Sequence, residues 1–143
     1  MAEATTNQLR VRLVTPERIL FETTADSVDL PGKTGYFEPL YGHAPLVSLL
    51  GAGDVIVHGG EQDGQRYNVN WGFVEVLPER VTILANDAHK PEEIDVPRAE
   101  KQLERGQQEW KDAGDSEDAY TEALRVIAEA EAKIASAGAK AAH

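Results

Sequence analysis

Three kinds of residue in this 143-residue chain have the chemistry to serve a reaction or a ligand: four histidines, a Gly-Lys-Thr triplet, and arginines and carboxylates in the second half. The histidines are His43, His58, His89 and His143. No two of them stand at helical spacing and there is no H-E-x-x-H, so the helix-borne zinc arrangement is not expected. The chain has no cysteine, which removes disulfides, thiolate nucleophiles and sulfur-ligated zinc. No metal site is read from the sequence. Gly32-Lys33-Thr34 looks like the end of a phosphate loop, but Ser27 stands where that motif needs its first glycine, and no long helical pattern follows. It reads as a turn. The serines at 27, 48, 116 and 136 lack a nucleophile-elbow context. No catalytic residue is assigned and the chain is not expected to be an enzyme. Arg98 and Arg105 lie seven apart, two turns along one helical face, and can converge on phosphates, with Asp95 just ahead and Arg125 further on. The plainer alternatives are an N-cap role for Asp95 and a surface pairing of Arg98 with Glu93 or Glu100.

The elements that must position these residues divide near Asp87. Nine of the twelve glycines and all three phenylalanines lie before it, while Ala, Glu, Gln and Lys dominate beyond. Leu9, Val11 and Leu13 alternate with Arg10 and Arg12, the period of a strand with one wet face. Further extended segments are expected at 19–23, 27–30, 46–50, 54–58, 66–71, 73–77 and 81–85, separated by Gly- and Pro-containing turns. So many short strands argue a β-sandwich or partly closed barrel over residues 1–88. Trp71 and Phe73, two apart, are expected on one strand face, with Phe73 in the core and Trp71 in core or interface. Residues 89–143 read as an antiparallel α-helical hairpin: a linker at 90–94, Asp95 as N-cap, a stripe of Ala99, Leu103, Gly106 and Trp110, a break at Gly114, a cap at Asp115 or Ser116, and a second face of Tyr120, Leu124, Ile127, Ala130 and Ile134. From Ala137 to His143 a frayed tail is expected.

Lys and Arg number 14 against 25 Asp and Glu, a formal charge of -11. Both parts are acidic, with six basic and twelve acidic residues in 1–88 and eight and thirteen in 89–143. A nucleic-acid partner is therefore disfavoured. Residues Met1 to Asn7 are polar and acidic, unlike a signal peptide, and no apolar run is long enough to insert directly into a membrane.

One ordered set of motifs carries a specific resemblance. Gly35-Tyr36-Phe37-Glu38-Pro39-Leu40-Tyr41-Gly42-His43-Ala44-Pro45-Leu46, then Gly72-Phe73-Val74-Glu75-Val76 with Val81-Thr82-Ile83-Leu84-Ala85, then Ile94-Asp95 and Arg98-Ala99, together resemble the epsilon subunit of the bacterial F-type ATP synthase, equivalent to the mitochondrial delta subunit. The likeness spans roughly residues 8–135. The chain departs from the pattern at Glu38, where a glycine is usual, at Tyr41, often a proline, and at Trp71, where a glycine pair is usual. The resemblance implies a β-sandwich at the foot of the rotor's central stalk, touching the gamma subunit and the ring of c subunits, and a hairpin able to reach the alpha/beta catalytic hexamer and restrain ATP hydrolysis. It implies a peripheral place on the cytoplasmic face of the bacterial inner membrane, with catalysis left to the beta subunits. Glu38, Tyr41, His43 and Trp71 become interface candidates, His43 having a turn-holding role as its alternative. No cofactor is expected beyond ATP as a weak regulatory ligand, because nucleotide-binding members use a segment resembling Asp95 to Ala99 with an arginine pair on the second helix, where only Arg125 stands here. The competing reading is a free-standing β-sandwich that binds a small ligand, with the hairpin as a dimerisation arm.

Overall fold

The computed structural model describes residues 7–141, and the chain divides into two compact units between Ala88 and His89. The first unit is built from β1 (Leu9–Val14), β2 (Ile19–Ala25), β3 (Ser27–Gly32), β4 (Gly35–Phe37), β5 (Leu46–Leu50), β6 (Gly53–His58), β7 (Arg66–Leu77) and β8 (Arg80–His89), whose last residue crosses the division. Hydrogen bonding runs β2-β1-β8-β7-β5-β3-β4, and β6 pairs with both β3 and β7. All the registered pairs are antiparallel except β1 with β8, which is parallel and sets Val11 beside Val81. The expected β-sandwich is what forms. Inward residues of β1, β3, β6, β7 and β8 meet in one cluster that includes Leu9, Leu13, Leu30, Val57, Val74 and Ile83, all fully buried. Each such side chain contributes about 1.5–3 kcal/mol relative to an exposed one, which is how a small sandwich holds without disulfides.

The twelve-residue strand β7 joins two segments that the sequence suggests as separate strands. Its first half pairs with β6, setting Val69 opposite Gly53, and its second half with β5, setting Val76 opposite Leu46. Tyr67 and Val69 enter the core from the first half, Val74 and Val76 from the second. Odd positions thus give way to even ones. A strand of strict period 2 cannot do this without an irregular residue, and the irregularity is Trp71 at φ 50° followed by Gly72 at φ 122°. Gly72 is also required by space, since a Cβ there would run into the carbonyl oxygen of Leu84. The expectation that Phe73 enters the core is thereby corrected: the change of phase turns it outward, 46% exposed, while Trp71 is half-buried.

In the second unit, a 3-10 turn at Pro91–Glu93 stands where a plain linker is expected, with the Glu93 carboxylate accepting the Lys90 N–H at 2.8 Å. Helix α1 (Val96–Asp112) follows, its N-cap Asp95 accepting the Arg98 N–H at 3.1 Å. Gly114, at φ 56°, reverses the chain, and Ser116 caps α2 (Glu117–Ala141) by accepting the Ala119 N–H at 3.2 Å. Contact between the helices rests on small residues. A Cβ on Gly106 would lie 2.9 Å from a methylene of Ile127 and 3.0 Å from a methyl of Val126, so the arms approach through the missing side chain. The buried face of α2 is Ala123, Val126, Ala130 and Ser136, with Ile127 and Ile134 half-buried; the expected stripe is corrected at Tyr120 and Leu124, which are exposed, and holds at Ala130. Trp110 is exposed as well, and its ring lies 6.3 Å from that of Tyr120. The tail expected to fray is corrected as far as Ala141, because its alanines continue the helix; residues 142 and 143 lie outside the described residues, as do 1–6 of the polar start.

Candidate contact surface

Cross-strand partners in an antiparallel pair stand side by side on one face. Leu49 of β5 faces Phe73 of β7, and Val47 faces Glu75. Val47 is 69% exposed and Leu49 57%, so this face of the sheet presents apolar side chains to water beside a single carboxylate. The 38–45 loop leads directly into β5 and adds Leu40 and Tyr41, both exposed. Singly exposed apolar residues are ordinary, but a contiguous row of them marks a contact surface. Its position follows from the bulge at Trp71 and Gly72, since without the change of phase Phe73 would point into the core.

The loop has a defined shape. The Gly42 N–H donates to the Pro78 carbonyl at 2.6 Å, the His43 N–H to the Leu40 carbonyl at 3.1 Å, and the His43 Nδ1 lies 2.6 Å from the Ala44 carbonyl. Leu40 bridges to Ser27 at the start of β3, and the Ser27 hydroxyl donates to Glu38 Oε2 at 2.6 Å. His43 therefore holds the turn, and Glu38 spends one oxygen inside the molecule. Three of the four interface candidates, Glu38, Tyr41 and His43, share this loop. Trp71 does not join them: its N–H donates to Gly51 at 3.2 Å, at the end of β5 away from the loop, with Gly42 tied to Pro78 beyond the other end of that segment of β7. Six residues of strand separate the two places, roughly 20 Å.

Gly32-Lys33-Thr34 is the β3–β4 turn. Three of the four hairpin candidates are engaged locally. Asp95 is consumed as the cap, Arg105 Nε lies 3.6 Å from Glu109, and Arg125 Nε lies 3.6 Å from Glu129. Arg98 is exposed on the first turn of α1.

Two polar clusters escape a reading of the sequence. In one, Asp54 accepts from Arg66 at 2.7 Å and from the Asn68 amide at 3.2 Å, and its own N–H donates to the Tyr36 hydroxyl at 2.8 Å. Partial withdrawal from water holds the Tyr36 phenol above its ordinary value, although that N–H opposes the shift. In the other, His58 Nε2 lies 3.0 Å from Asp29 Oδ2, and ligating atoms of Asp29, Glu38 and His58 all fall within 4.8 Å of one another. The hydrogen bond to Asp29 raises the His58 pKa, burial opposes it, and the fields of Asp29, Glu38 and Asp63 raise it further. Positions 29, 38 and 58 have no common spacing; the pairing of β3 with β6 brings Asp29 and His58 together, and the pairing of β3 with β4 and the Ser27–Leu40 bridge bring Glu38.

A sandwich with an exposed apolar row, followed by a helical hairpin closed by small residues, defines the class: a two-part protein of β-sandwich and helical hairpin. Residues 8–91 match the family model of the ATP synthase delta/epsilon chain β-sandwich domain. An ATP synthase epsilon chain of Solibacter usitatus is 40% identical over 92% of this chain and 97% of its own length, and one of Koribacter versatilis is 41% identical over 71% of each. Among solved structures, a chain of the Euglena gracilis mitochondrial ATP synthase assembly of OSCP, F1 and c-ring shares the fold with a TM-score of 0.76 at 19% identity, over all of this chain and 86% of that one. A chain of the Tetrahymena thermophila central stalk and c-ring does so with a TM-score of 0.68 at 13% identity, over 90% and 96%. The chain belongs to the ATP synthase epsilon chain family.

Proposed function

We propose that this chain is a stalk subunit of the rotary ATP synthase that couples ion flow through the c ring to ATP synthesis, and that its sandwich is seated through the face of Val47, Leu49 and Phe73 and the adjoining 38–45 loop. One observation carries the reading: apolar side chains stand in a row on the outside of a well-packed sheet, next to a loop whose shape is fixed by five hydrogen bonds or bridges. Such a surface is rigid before contact, so little ordering entropy opposes its docking. The partners are the gamma subunit and the c ring for the sandwich and the alpha/beta hexamer for the hairpin. The chain supplies no chemistry of its own. No helix among the described residues is long and apolar enough to cross a membrane, which fits a peripheral place held by those partners on the cytoplasmic face of the inner membrane. Exposed Trp110, Tyr120 and Leu124 near the turn of the hairpin supply apolar contacts through which it restrains ATP hydrolysis by packing and steric blocking more than by charge. ATP is at most a weak ligand, because Asp95, Arg105 and Arg125 already have partners within the helices. The small-ligand reading has less support, since the interior of the sandwich is filled by its own side chains.

The test is purification of the intact enzyme through a tag on this chain. Gamma and the catalytic subunits are expected with it, Leu49→Glu with Phe73→Glu is expected to release them while the sandwich stays folded, and the isolated chain is expected to show no tight ATP binding by calorimetry. A tagged chain that emerges alone under conditions preserving the complex sinks the reading.

A further inference from the structure

The Asp29, Glu38 and His58 cluster joins three separate segments: Asp29 lies in β3, His58 closes β6, and Glu38 follows β4 and opens the loop of the contact surface. The surroundings of the imidazole are uniformly acidic. From β3 it faces Asp29, 3.0 Å away, with Asp26 just before that strand packed against Gly59; from the loop it faces Glu38; and from the β6–β7 turn it faces Asp63, whose carboxylate takes the Gly59 N–H at 2.7 Å. The nearby cation on β7, Arg66, is bound to Asp54.

We propose that Asp29, His58 and Glu38 form a proton-operated clasp, which grips the start of the 38–45 loop when the imidazole is charged and slackens when it is neutral. A charged ring donates to Asp29 and offsets the mutual repulsion of two carboxylates that have oxygens within 4.8 Å of each other. When the ring loses its proton, that repulsion is unopposed in a chain already carrying -11, and the more exposed of the two carboxylates is that of Glu38. Glu38 is tied to Ser27, and Ser27 to Leu40, so a change at Glu38 passes to the loop through contacts already present. The direction follows from linkage. His58 is held above its ordinary 6.5, so its contribution is complete below that value and is lost as pH rises through the folded pKa. Half-exposure of both partners keeps the contribution small, and it acts on the loop rather than on the whole fold.

The experiment is an NMR titration of the full-length chain between pH 5 and 9, with chelator present to exclude adventitious metal. The ring signals of His43 and His58 are followed separately, so that loop amides moving with the His43 ring are told apart from those moving with His58. His58 is expected to titrate above 6.5, and the amide signals of Leu40 and Gly42 are expected to move with the same midpoint. Asp29→Asn should lower the His58 midpoint. Glu38→Gln, a surface change that leaves the fold in place, should lower it less and should leave Leu40 and Gly42 indifferent to the titration. A His58 midpoint at or below 6.5, or loop amides that stay flat while His58 titrates in the presence of Glu38, overturns the proposal. The measurement uses the isolated chain, so its outcome is independent of whether the stalk partners are correctly assigned.

Discussion

The two units are held together by different means. The sandwich buries large branched side chains, among them Leu9, Leu13, Leu30, Val55, Val57 and Ile83, drawn from strands far apart in sequence. The hairpin buries Ala99, Gly106, Ala113, Ala123, Val126 and Ala130, so its arms gain closeness and little apolar area. A unit of the first kind is expected to hold by itself, whereas one of the second kind has less apolar burial to oppose its opening.

Substitutions of two glycines would break or sharpen this contrast. Gly72→Val is expected to have the largest effect, because the new side chain meets the Leu84 backbone at a φ that branched residues rarely adopt; a loss of at least about 3 kcal/mol should appear as a lowered denaturation midpoint of the whole sandwich. Gly106→Leu should cost less, about 1–3 kcal/mol, by forcing α1 away from Ile127 and Val126. Helical circular dichroism should melt earlier while the sheet signals of residues 9–88 remain unmoved; a change in both would show that the units are not energetically separate. Removing the cap of α2 with Ser116→Ala should have the smallest effect, about 1 kcal/mol, read as faster amide exchange at Ala119 and its neighbours alone.

Much of this architecture is legible in the residues. Alternation locates the strands, Asp95 is legible as a cap, the second cap is narrowed to Asp115 or Ser116, and the break at Gly114 separates the helices, since each of these signals is local. The side of β7 occupied by Phe73 is misread because alternation was carried across Trp71 and Gly72; the change from Tyr67 and Val69 to Val74 and Val76 was the available sign of a bulge. The stripe on α2 is misread because large residues were weighted above alanines, although a glycine at 106 calls for small partners opposite. Of the contact surface, the loop could be located from its motif, but the outward row of Val47, Leu49 and Phe73 needed the register of β5 on β7. The clusters around Asp54 and His58 were not legible, since their members are brought together by pairing between distant segments and leave no periodic trace.

The parallel pairing of β1 with β8 also fixes an order of events. Val11 waits for Val81 and Val14 for Leu84, so β1 finds this partner only after some seventy further residues have been made. Closing so long a loop is slow, and until it closes the inward Leu9, Val11 and Leu13 have only β2 beside them. Completion of the sandwich during synthesis is therefore timed by β8.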